Sequence, residues 1–299
     1  MTWEIVKLGR IVRAISKDAS VVCSAIDGRD IVCEIERVHQ SSAVVTAALG
    51  RLAMGTSLMG FGMKGENDVV TVKIDGGGPA GQLIAVADSY GNVKADVMQP
   101  LVELPPNAVG KLDVAGAVGV DGTITVIKDL GLKEPYVGQV PLVSGEIAED
   151  ITAYLAQSEQ VPSVTALGVL INPDLTVKNA GGFMIQVLPF ASDEIITQIE
   201  QNIAKMQSVT KLMEDGRTTD EIALMALEGL EPNVLDDFKV DYSCDCSRER
   251  TERVLISLGE AELSDMAKDG EVDVKCHFCG KHYSFTPDEI AKLIEDSKS

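Results

Sequence analysis

The 299-residue sequence predicts an α+β protein in three parts: a core with a mixed or antiparallel sheet and helices, a helical linker, and a small C-terminal domain. Short β-like runs and glycine-rich turns fill the first part, and few helices lie between them, which favours hairpins over βαβ units. Amphipathic helical patterns follow after residue 190. Four of the six cysteines lie near the C-terminus. We place the three parts at residues 1–190, 191–235 and 236–299.

The core begins with a predicted hairpin, TWEIVKL and GRIVRAIS, in which apolar and polar residues alternate. The segment SSAVVTAALGRLAMGTSLMGFGM is rich in Ala, Leu and Met and predicts a buried helix. The turn sequences DGGGPAG, YGN and NPD indicate breaks between further strands. These strands are VVTVKI, QLIAVAD, NVKADVM, TITVIKD, VGQVPLV, TALGVLINP and GGFMIQVLP, with a short helix, ITAYLAQSE, before TALGVLINP.

The linker predicts two amphipathic helices. SDEIITQIEQNIAKM begins with Ser192 as an N-cap, and TTDEIALMALEGL begins with Thr218 and Glu221 at the spacing of a capping box. Their apolar faces consist of Ile195, Ile196, Ile199, Ile203, Met206, Ile222, Leu224, Met225, Leu227 and Leu230. We expect these faces to pack in the folded protein. If exposed, their methionines would suit promiscuous apolar binding, because the side chain is adaptable.

The C-terminal domain predicts a hairpin, VDVK and KHYSF, joined by the CHFCG turn. A final helix, TPDEIAKLIE, follows, with Thr286 as N-cap, Pro287 at the first helical position and Glu289 completing a capping box. A domain this small with so little apolar content needs an additional staple to be stable.

The cysteine spacing supplies such a staple. Cys244-x-Cys246 and Cys276-x-x-Cys279 bring two pairs of thiols from two loops, which suits a tetrahedral zinc site with four cysteine ligands. An iron–sulfur cluster, four inert cysteines, and a zinc site of three cysteines with His277 or His282 are the alternatives. A thioredoxin-like site is disfavoured, because its CxxC opens a helix whereas this one leads into a strand.

The short Cys244-x-Cys246 spacing also indicates redox chemistry. Sulfurs on tetrahedral zinc lie about 3.8 Å apart, whereas a disulfide needs about 2.05 Å, so four-thiolate coordination and oxidation exclude each other. We expect Arg248, Arg250 and Lys275 to offset the charge of the site. Structural zinc contributes about 10–16 kcal/mol of apparent binding free energy, against about 5–15 kcal/mol for the stability of a whole domain. Loss of zinc should therefore unfold the C-terminal domain.

Charge and cysteine placement limit the classes of partner and compartment. The formal net charge of −20 disfavours phosphate backbones and anionic lipid, which an acidic surface repels. MTWEIVKLGR has no signal-peptide character, and no run reaches the roughly 18 apolar residues of a membrane span. Clustered thiols suit reducing cytosol. We expect a cytoplasmic protein without nucleic-acid or membrane partners, with Cys23 and Cys33 as ordinary core residues.

One glycine motif matches a nucleotide-binding fingerprint but is not expected to bind a nucleotide. Gly76-x-Gly78-x-x-Gly81 matches a dinucleotide fingerprint after a strand, but that fingerprint requires a following helix, and QLIAVAD reads as a strand. We therefore expect a hairpin turn. The sequence contains no GxxxxGK[ST], GxSxG or HExxH motif. An enzyme with a structural zinc ribbon and an unidentified active site is the alternative function, and a zinc-ribbon nucleic-acid binder is disfavoured by the acidic charge.

Longer segments resemble a known family, the redox-regulated holdase chaperones called heat-shock protein thirty-three. FKVDYSCDCSRER and CHFCGKHYSF resemble its zinc signature. TVKIDGGGPAG, KLDVAGAVG, KDLGLKEPYVGQVPLVSGEIAED and NAGGFMIQV resemble its N-terminal core, so the resemblance covers the whole chain. It implies a core, a linker and a zinc domain. It also implies that oxidant releases zinc and joins Cys244 to Cys246 and Cys276 to Cys279.

The function implied by the resemblance is an ATP-independent holdase, not an enzyme, that holds one Zn²⁺ per chain when reduced. During oxidative stress, unfolding of the C-terminal domain and linker would expose apolar surface that binds unfolded proteins. We expect the active form to be a homodimer. We expect the C-terminal domain to cover the linker faces in the reduced form, and the residues expected to bind clients are Ile199, Ile203, Met206, Leu224 and Leu227.

Overall fold

The computed structural model describes residues 9–268 and 270–296. TWEIVKL, predicted as the first strand of a hairpin, lies outside the described residues. The chain divides into two compact units, Met1–Ser243 and Cys244–Ser299. The predicted linker therefore lies within the larger unit, and its role as a separate functional part stays a prediction.

Strands and helices occur in short runs throughout the described residues. The strands are β1 (Gly9–Ile15), β2 (Val21–Asp27), β3 (Val69–Asp75), β4 (Leu83–Asp88), β5 (Val93–Val97), β6 (Thr123–Asp129), β7 (Tyr136–Pro141), β8 (Ser163–Ile171), β9 (Val177–Val187), β10 (Asn233–Val240), β11 (Val272–Lys275) and β12 (His282–Phe285). The helices are α1 (Arg29–His39), α2 (Ala43–Phe61), α3 (Val114–Val118), α4 (Ala148–Gln157), α5 (Asp193–Lys205), α6 (Val209–Glu214), α7 (Thr219–Ala226), α8 (Arg248–Leu258), α9 (Glu260–Lys268) and α10 (Pro287–Asp296).

Two five-stranded sheets form the larger unit. The first sheet has the order β10-β1-β2-β9-β8, and the second has the order β5-β4-β3-β6-β7. Neighbouring strands in both sheets pair antiparallel. The predicted α+β class is confirmed, and the sheets are antiparallel rather than mixed. GRIVRAIS supplies β1, whose hairpin partner is the following strand β2.

Helix α2 is the centre of the core. It is buried along nearly its whole length, and its small residues allow close packing against strands of both sheets. The sequence predicts no membrane span, whereas by length and composition this helix could cross a membrane. However, 94% of the relevant window is buried inside the protein. Such burial is typical of the core helix of a globular unit.

The Gly76-x-Gly78-x-x-Gly81 segment is the turn between β3 and β4, as the sequence predicted. The Gly78 amide donates to the Val118 carbonyl over 3.0 Å. A Cβ atom on Gly78 would lie 2.4 Å from the carbonyl carbon of Val118, so a side chain cannot be accommodated. Gly78 therefore allows the turn to pack closely on the end of α3.

Helices α5, α6 and α7 cover one face of the first sheet. The cluster formed there joins buried residues of β1, β2 and β9 to those of the three helices. We call this set of residues the linker cluster; its buried members are Ala14, Val21, Cys23, Ala25, Phe183, Ile185, Ile199, Val209, Leu212, Ile222, Ala223, Ala226 and Leu227. The sequence predicted two of these helices; the short α6 was missed.

The smaller unit consists of α8, α9, the β11–β12 hairpin and α10. The predicted hairpin and final helix are confirmed, whereas α8 and α9 were not predicted. Its core is small and includes Leu255, Leu263, Val272, Tyr283, Phe285, Ile290 and Leu293. With so few buried side chains, the unit fits the expectation that it needs a further source of stability.

Candidate metal centre

Two loops of the smaller unit carry its four cysteines. Cys244 and Cys246 precede α8, whose N-cap Ser247 accepts a hydrogen bond from the Arg250 amide over 3.2 Å. Cys276 and Cys279 lie in the turn between β11 and β12. The Gly280 amide donates to the Cys276 carbonyl, and the Cys276 amide donates to the Lys281 carbonyl, both over 2.8 Å. Gly280 has a φ of 72°, a left-handed conformation that glycine adopts without strain.

The four sulfur atoms converge. All lie within 4.8 Å of one another. The Cys244 and Cys276 sulfurs are 3.7 Å apart, and those of Cys246 and Cys279 are 3.4 Å apart. Tetrahedral zinc–thiolate geometry requires about 3.8 Å between sulfurs. All four cysteines are free thiols and half-buried. The arrangement therefore fits a four-thiolate metal ion.

Histidine does not join this cluster within the described part of the chain. The His282 Nδ1 atom instead lies 2.6 Å from a carboxylate oxygen of Asp273 on the neighbouring strand. The four cysteines alone can supply a complete tetrahedral ligand set, as the spacing predicted.

The thiols differ in their electrostatic surroundings. Burial raises the pKa of Cys244 and of Cys279. Burial acts in the same direction on Cys246, but hydrogen bonds from Tyr283 and the neighbouring cysteines outweigh it and lower the Cys246 pKa to about 7. The Tyr283 hydroxyl donates to the Cys246 sulfur over 3.2 Å. Because the thiolate is the form that binds a metal ion, Cys246 is the thiol most readily prepared as a ligand.

Arg248 and Arg250 each form an ion pair with a carboxylate of the smaller unit. The Arg250 guanidinium pairs with Asp245. Arg248 lies over the ring of Phe285, with 4.2 Å from its guanidinium carbon to the ring centroid, and it donates to Glu289 over 2.6 Å. Arg248 thus ties α8 to β12 and α10. These contacts stabilise the scaffold around the sulfurs, and an offset of the site charge by Arg248, Arg250 and Lys275 stays a prediction.

The remaining cysteines are remote from this cluster. Cys23 is fully buried in the linker cluster, and burial raises its pKa to about 12. Cys33 is half-buried on α1, and burial raises its pKa as well. Both surroundings disfavour the thiolate, which agrees with the expectation that these are ordinary packing residues.

The predicted client-binding residues belong to the linker cluster. Ile199 and Leu227 are 2% and 0% exposed, and Ile203, Met206 and Leu224 pack at its margin. The first sheet is therefore one packing partner of these helices. Additional cover from the C-terminal domain stays a prediction.

Two polar residues of the larger unit that the sequence reading missed hold the linker helices. Asn202 on α5 is buried and donates to the carbonyls of Ala226 and Glu228 over 3.2 and 2.8 Å. Arg10 on β1 donates to both Asp220 of α7 and Asp237 of β10, at 2.6 and 2.7 Å. A buried asparagine facing a helix end gives a weak sequence signal. The contacts of Arg10 with two aspartates join residues more than 200 positions apart and give none.

Comparison with known proteins extends over both compact units. A family model described as Hsp33 protein matches residues 9–286. A 33 kDa chaperonin of Clostridioides difficile is 45% identical over 287 residues, which are 96% of this chain and 98% of that protein. One from Alkaliphilus metalliredigens is 44% identical over 288 residues, or 96% of this chain and 99% of that protein. The crystal structure of the 33 kDa chaperonin from Thermotoga maritima, a heat shock protein 33 homologue, gives a TM-score of 0.89 at 38% identity and covers 97% of this chain and 98% of that chain.

Proposed function

The chain belongs to the Hsp33 family, and on that premise we propose that it is a redox-regulated, ATP-independent holdase chaperone. Its relatives are named chaperonins, which supports a chaperone rather than an enzyme. The observation that carries the redox part of the proposal is the convergence of four cysteine sulfurs within 4.8 Å in a unit with a small core.

In the reduced form, Cys244, Cys246, Cys276 and Cys279 hold one Zn²⁺ ion. When bound, the ion keeps the four sulfurs deprotonated and ties the loop before α8 to the β11–β12 turn. The donor set supports zinc, because four thiolates in a tetrahedral arrangement are typical of structural zinc sites.

Oxidation removes this ligand set. Each peroxide molecule oxidises one pair of thiols to a disulfide and is itself reduced to two molecules of water, so two peroxides convert the four cysteines. Family resemblance assigns the pairs as Cys244 with Cys246 and Cys276 with Cys279. Disulfide sulfurs are poor metal ligands, and the smaller unit then depends on its small core alone. We expect it to unfold.

The chaperone surface is the apolar linker cluster. Its residues on α5 and α7, including Ile199, Ile203, Met206, Leu224 and Leu227, pack against the first sheet. If the helices detach, apolar side chains on both the helices and the sheet become available to unfolded proteins. Binding then needs no nucleotide, because oxidation shifts the equilibrium between covered and open states.

The test is one peroxide series on the purified protein. Zinc content, free-thiol count and suppression of aggregation of a denatured client are measured in the same samples. We expect zinc release and thiol loss to coincide with the rise of anti-aggregation activity, and a reductant to reverse all three. Anti-aggregation activity that is absent after complete zinc release would refute the proposal. An enzyme with a structural zinc ribbon would give that result.

Two further parts of the proposal concern assembly and location. We propose that the oxidised form is a homodimer and that the protein acts in the cytoplasm on unfolded proteins. Sedimentation of the reduced and oxidised samples measures the first, since the oxidised species should have twice the mass of one chain.

A further inference from the structure

We propose that Tyr283 is a positioning residue of the metal centre, whose hydroxyl holds Cys246 in the ligand set and restrains its reaction with oxidant. The inference rests on the proposed function. It assigns to one side chain a part in setting how readily the cysteine site is oxidised. Tyr283 is not a ligand and acts only through the sulfur of Cys246.

The position of Tyr283 follows from the hairpin. On β12, His282 and Ser284 are exposed, whereas Tyr283 and Phe285 are buried at 7% and 0% exposure and belong to the core of the smaller unit. Val274 on β11 is the register partner of Tyr283. Packing therefore fixes the ring, and the hydroxyl at its end lies 3.2 Å from the Cys246 sulfur.

This hydrogen bond crosses between the two halves of the ligand set. Cys246 precedes α8, whereas Tyr283 lies on the strand that follows the Cys276-x-x-Cys279 turn. The hydroxyl thus places the sulfur of one loop relative to the other loop before and during metal binding. Groups that orient a metal ligand in this way typically change metal affinity about 10- to 100-fold when they are removed.

The same hydrogen bond lowers the reactivity of the sulfur. A donor directed at a thiolate draws electron density from its lone pairs. In the oxidation step, the Cys246 thiolate attacks one oxygen of hydrogen peroxide, the O–O bond breaks, and hydroxide leaves and takes up a proton to become water. The resulting sulfenic acid is attacked by a second cysteine thiol, which forms the disulfide and releases a second water. Because the hydrogen-bonded sulfur donates its lone pair less readily, its attack on hydrogen peroxide is slower.

The test uses Tyr283→Phe, which removes the hydroxyl and keeps the buried ring. Zinc affinity is measured by competition with a chromophoric chelator, and we expect it to fall about 10- to 100-fold. Reduced protein is also exposed to less than one equivalent of hydrogen peroxide, and the oxidised fraction of each cysteine is read by differential alkylation and mass spectrometry. We expect the share of oxidation at Cys246 to rise in the variant.

Two controls separate this role from simple stability. Tyr90→Phe removes the hydroxyl of an exposed tyrosine in the larger unit and should change neither measurement. Val272→Ala weakens the core of the smaller unit without removing a group at the sulfurs. It should lower zinc affinity but leave the share of oxidation at Cys246 unchanged.

The outcomes distinguish this inference from the proposed function. If Tyr283→Phe matches the unaltered protein in zinc affinity and in the share of oxidation at Cys246, the role of Tyr283 is wrong, while a peroxide-activated chaperone would still stand. A Tyr283→Phe variant that behaves like Val272→Ala in both measurements would reduce Tyr283 to a packing residue. An unaltered protein that binds no zinc would overturn both.

Discussion

The four thiols of the candidate metal centre share one cluster but differ as individual residues. Burial raises the pKa of Cys244, whereas hydrogen bonds lower the pKa of Cys246 to about 7 against the effect of burial. A proton must leave each thiol before it binds metal. Deprotonation to form a metal ligand therefore requires less free energy at Cys246 than at Cys244.

We predict that each of the four cysteines is needed for zinc binding. Single substitutions of Cys244, Cys246, Cys276 or Cys279 by serine should reduce zinc well below one equivalent per chain, because a serine hydroxyl does not replace a thiolate ligand. Metal analysis of the purified reduced variants measures this. Cys33→Ser, which changes a half-buried thiol outside the cluster, should retain one equivalent. Full retention after loss of any one of the four would contradict a four-cysteine site.

We also predict that oxidation joins neighbours in the sequence. In the folded site the sulfurs of Cys246 and Cys279 are only 3.4 Å apart, so proximity alone would also permit a bridge between the loops. Once the first bond forms and the unit opens, loop-closure entropy favours the short loops within each motif, although ring strain between Cys244 and Cys246 opposes this. Peptide mapping under non-reducing conditions should therefore recover Cys244–Cys246 and Cys276–Cys279. A dominant bridge between the two motifs would exclude this pairing.

At the scale of elements, Arg10 connects three pieces of the larger unit. From β1 it reaches Asp220 on α7 and Asp237 on β10. The hydrogen bond from Arg10 holds the pKa of Asp237 below its ordinary value of about 4. Such a carboxylate contributes stability above its ordinary pKa, and this contribution is lost as the pH falls through the lowered folded-state pKa.

We predict a small acid-dependent loss of stability that originates in this contact. Below about pH 4, the unaltered protein should lose up to about 1 kcal/mol more of its unfolding free energy than Asp237→Asn, because a largely exposed ion pair is screened by water. Urea unfolding followed by circular dichroism at several pH values between about 3 and 7 measures the difference. Parallel pH profiles of the two proteins would show that the contact contributes nothing.

The sequence predicted correctly those helices whose first turn is marked by a capping box. Thr218 and Glu221 form the predicted capping box at α7, with bonds of 2.9 and 3.3 Å. Thr286 and Glu289 likewise begin α10. The hairpin predicted from VDVK and KHYSF corresponds to β11 and β12, and the cysteine spacing predicted which four thiols converge. Each of these depends on residues close together in the sequence.

Elements that depend on distant partners could not be read in this way. Strand β10, NVLDDFKV, carries two successive aspartates and is mostly exposed, and it is defined by pairing with β1 at the other end of the unit. Helices α8 and α9 each bury one leucine, Leu255 and Leu263, too few for a periodic apolar pattern. The Tyr283–Cys246 hydrogen bond joins residues 37 positions apart. Alternation along β12 is consistent with a buried Tyr283 ring, but it does not indicate that the hydroxyl contacts the Cys246 sulfur.

At the scale of the whole molecule, the linker helices depend on tertiary packing. Helices α6 and α7 have 6 and 8 residues, below the roughly 12–15 at which an isolated helix becomes marginally stable in water. They are held by the linker cluster, by Asn202 and by Arg10. Further along the same chain, the Tyr242 hydroxyl donates to the Ala95 carbonyl, and Cys244 follows two residues later. The segment after β10 is thus also held to β5 of the second sheet, two residues before the first cysteine of the candidate metal centre.

This dependence predicts where oxidation unfolds the chain. After peroxide treatment, hydrogen exchange should show lost protection beyond about residue 190, in the linker helices and the smaller unit. Protection should persist in β3, β4 and β6 at the centre of the second sheet, because these strands pack in the core around α2 and involve none of the four cysteines. Reduction and zinc addition should restore the original pattern, and Cys33→Ser should behave like the unaltered protein. If α5 and α7 kept their protection while anti-aggregation activity appeared, clients would have to bind elsewhere, and the linker cluster would not be the chaperone surface.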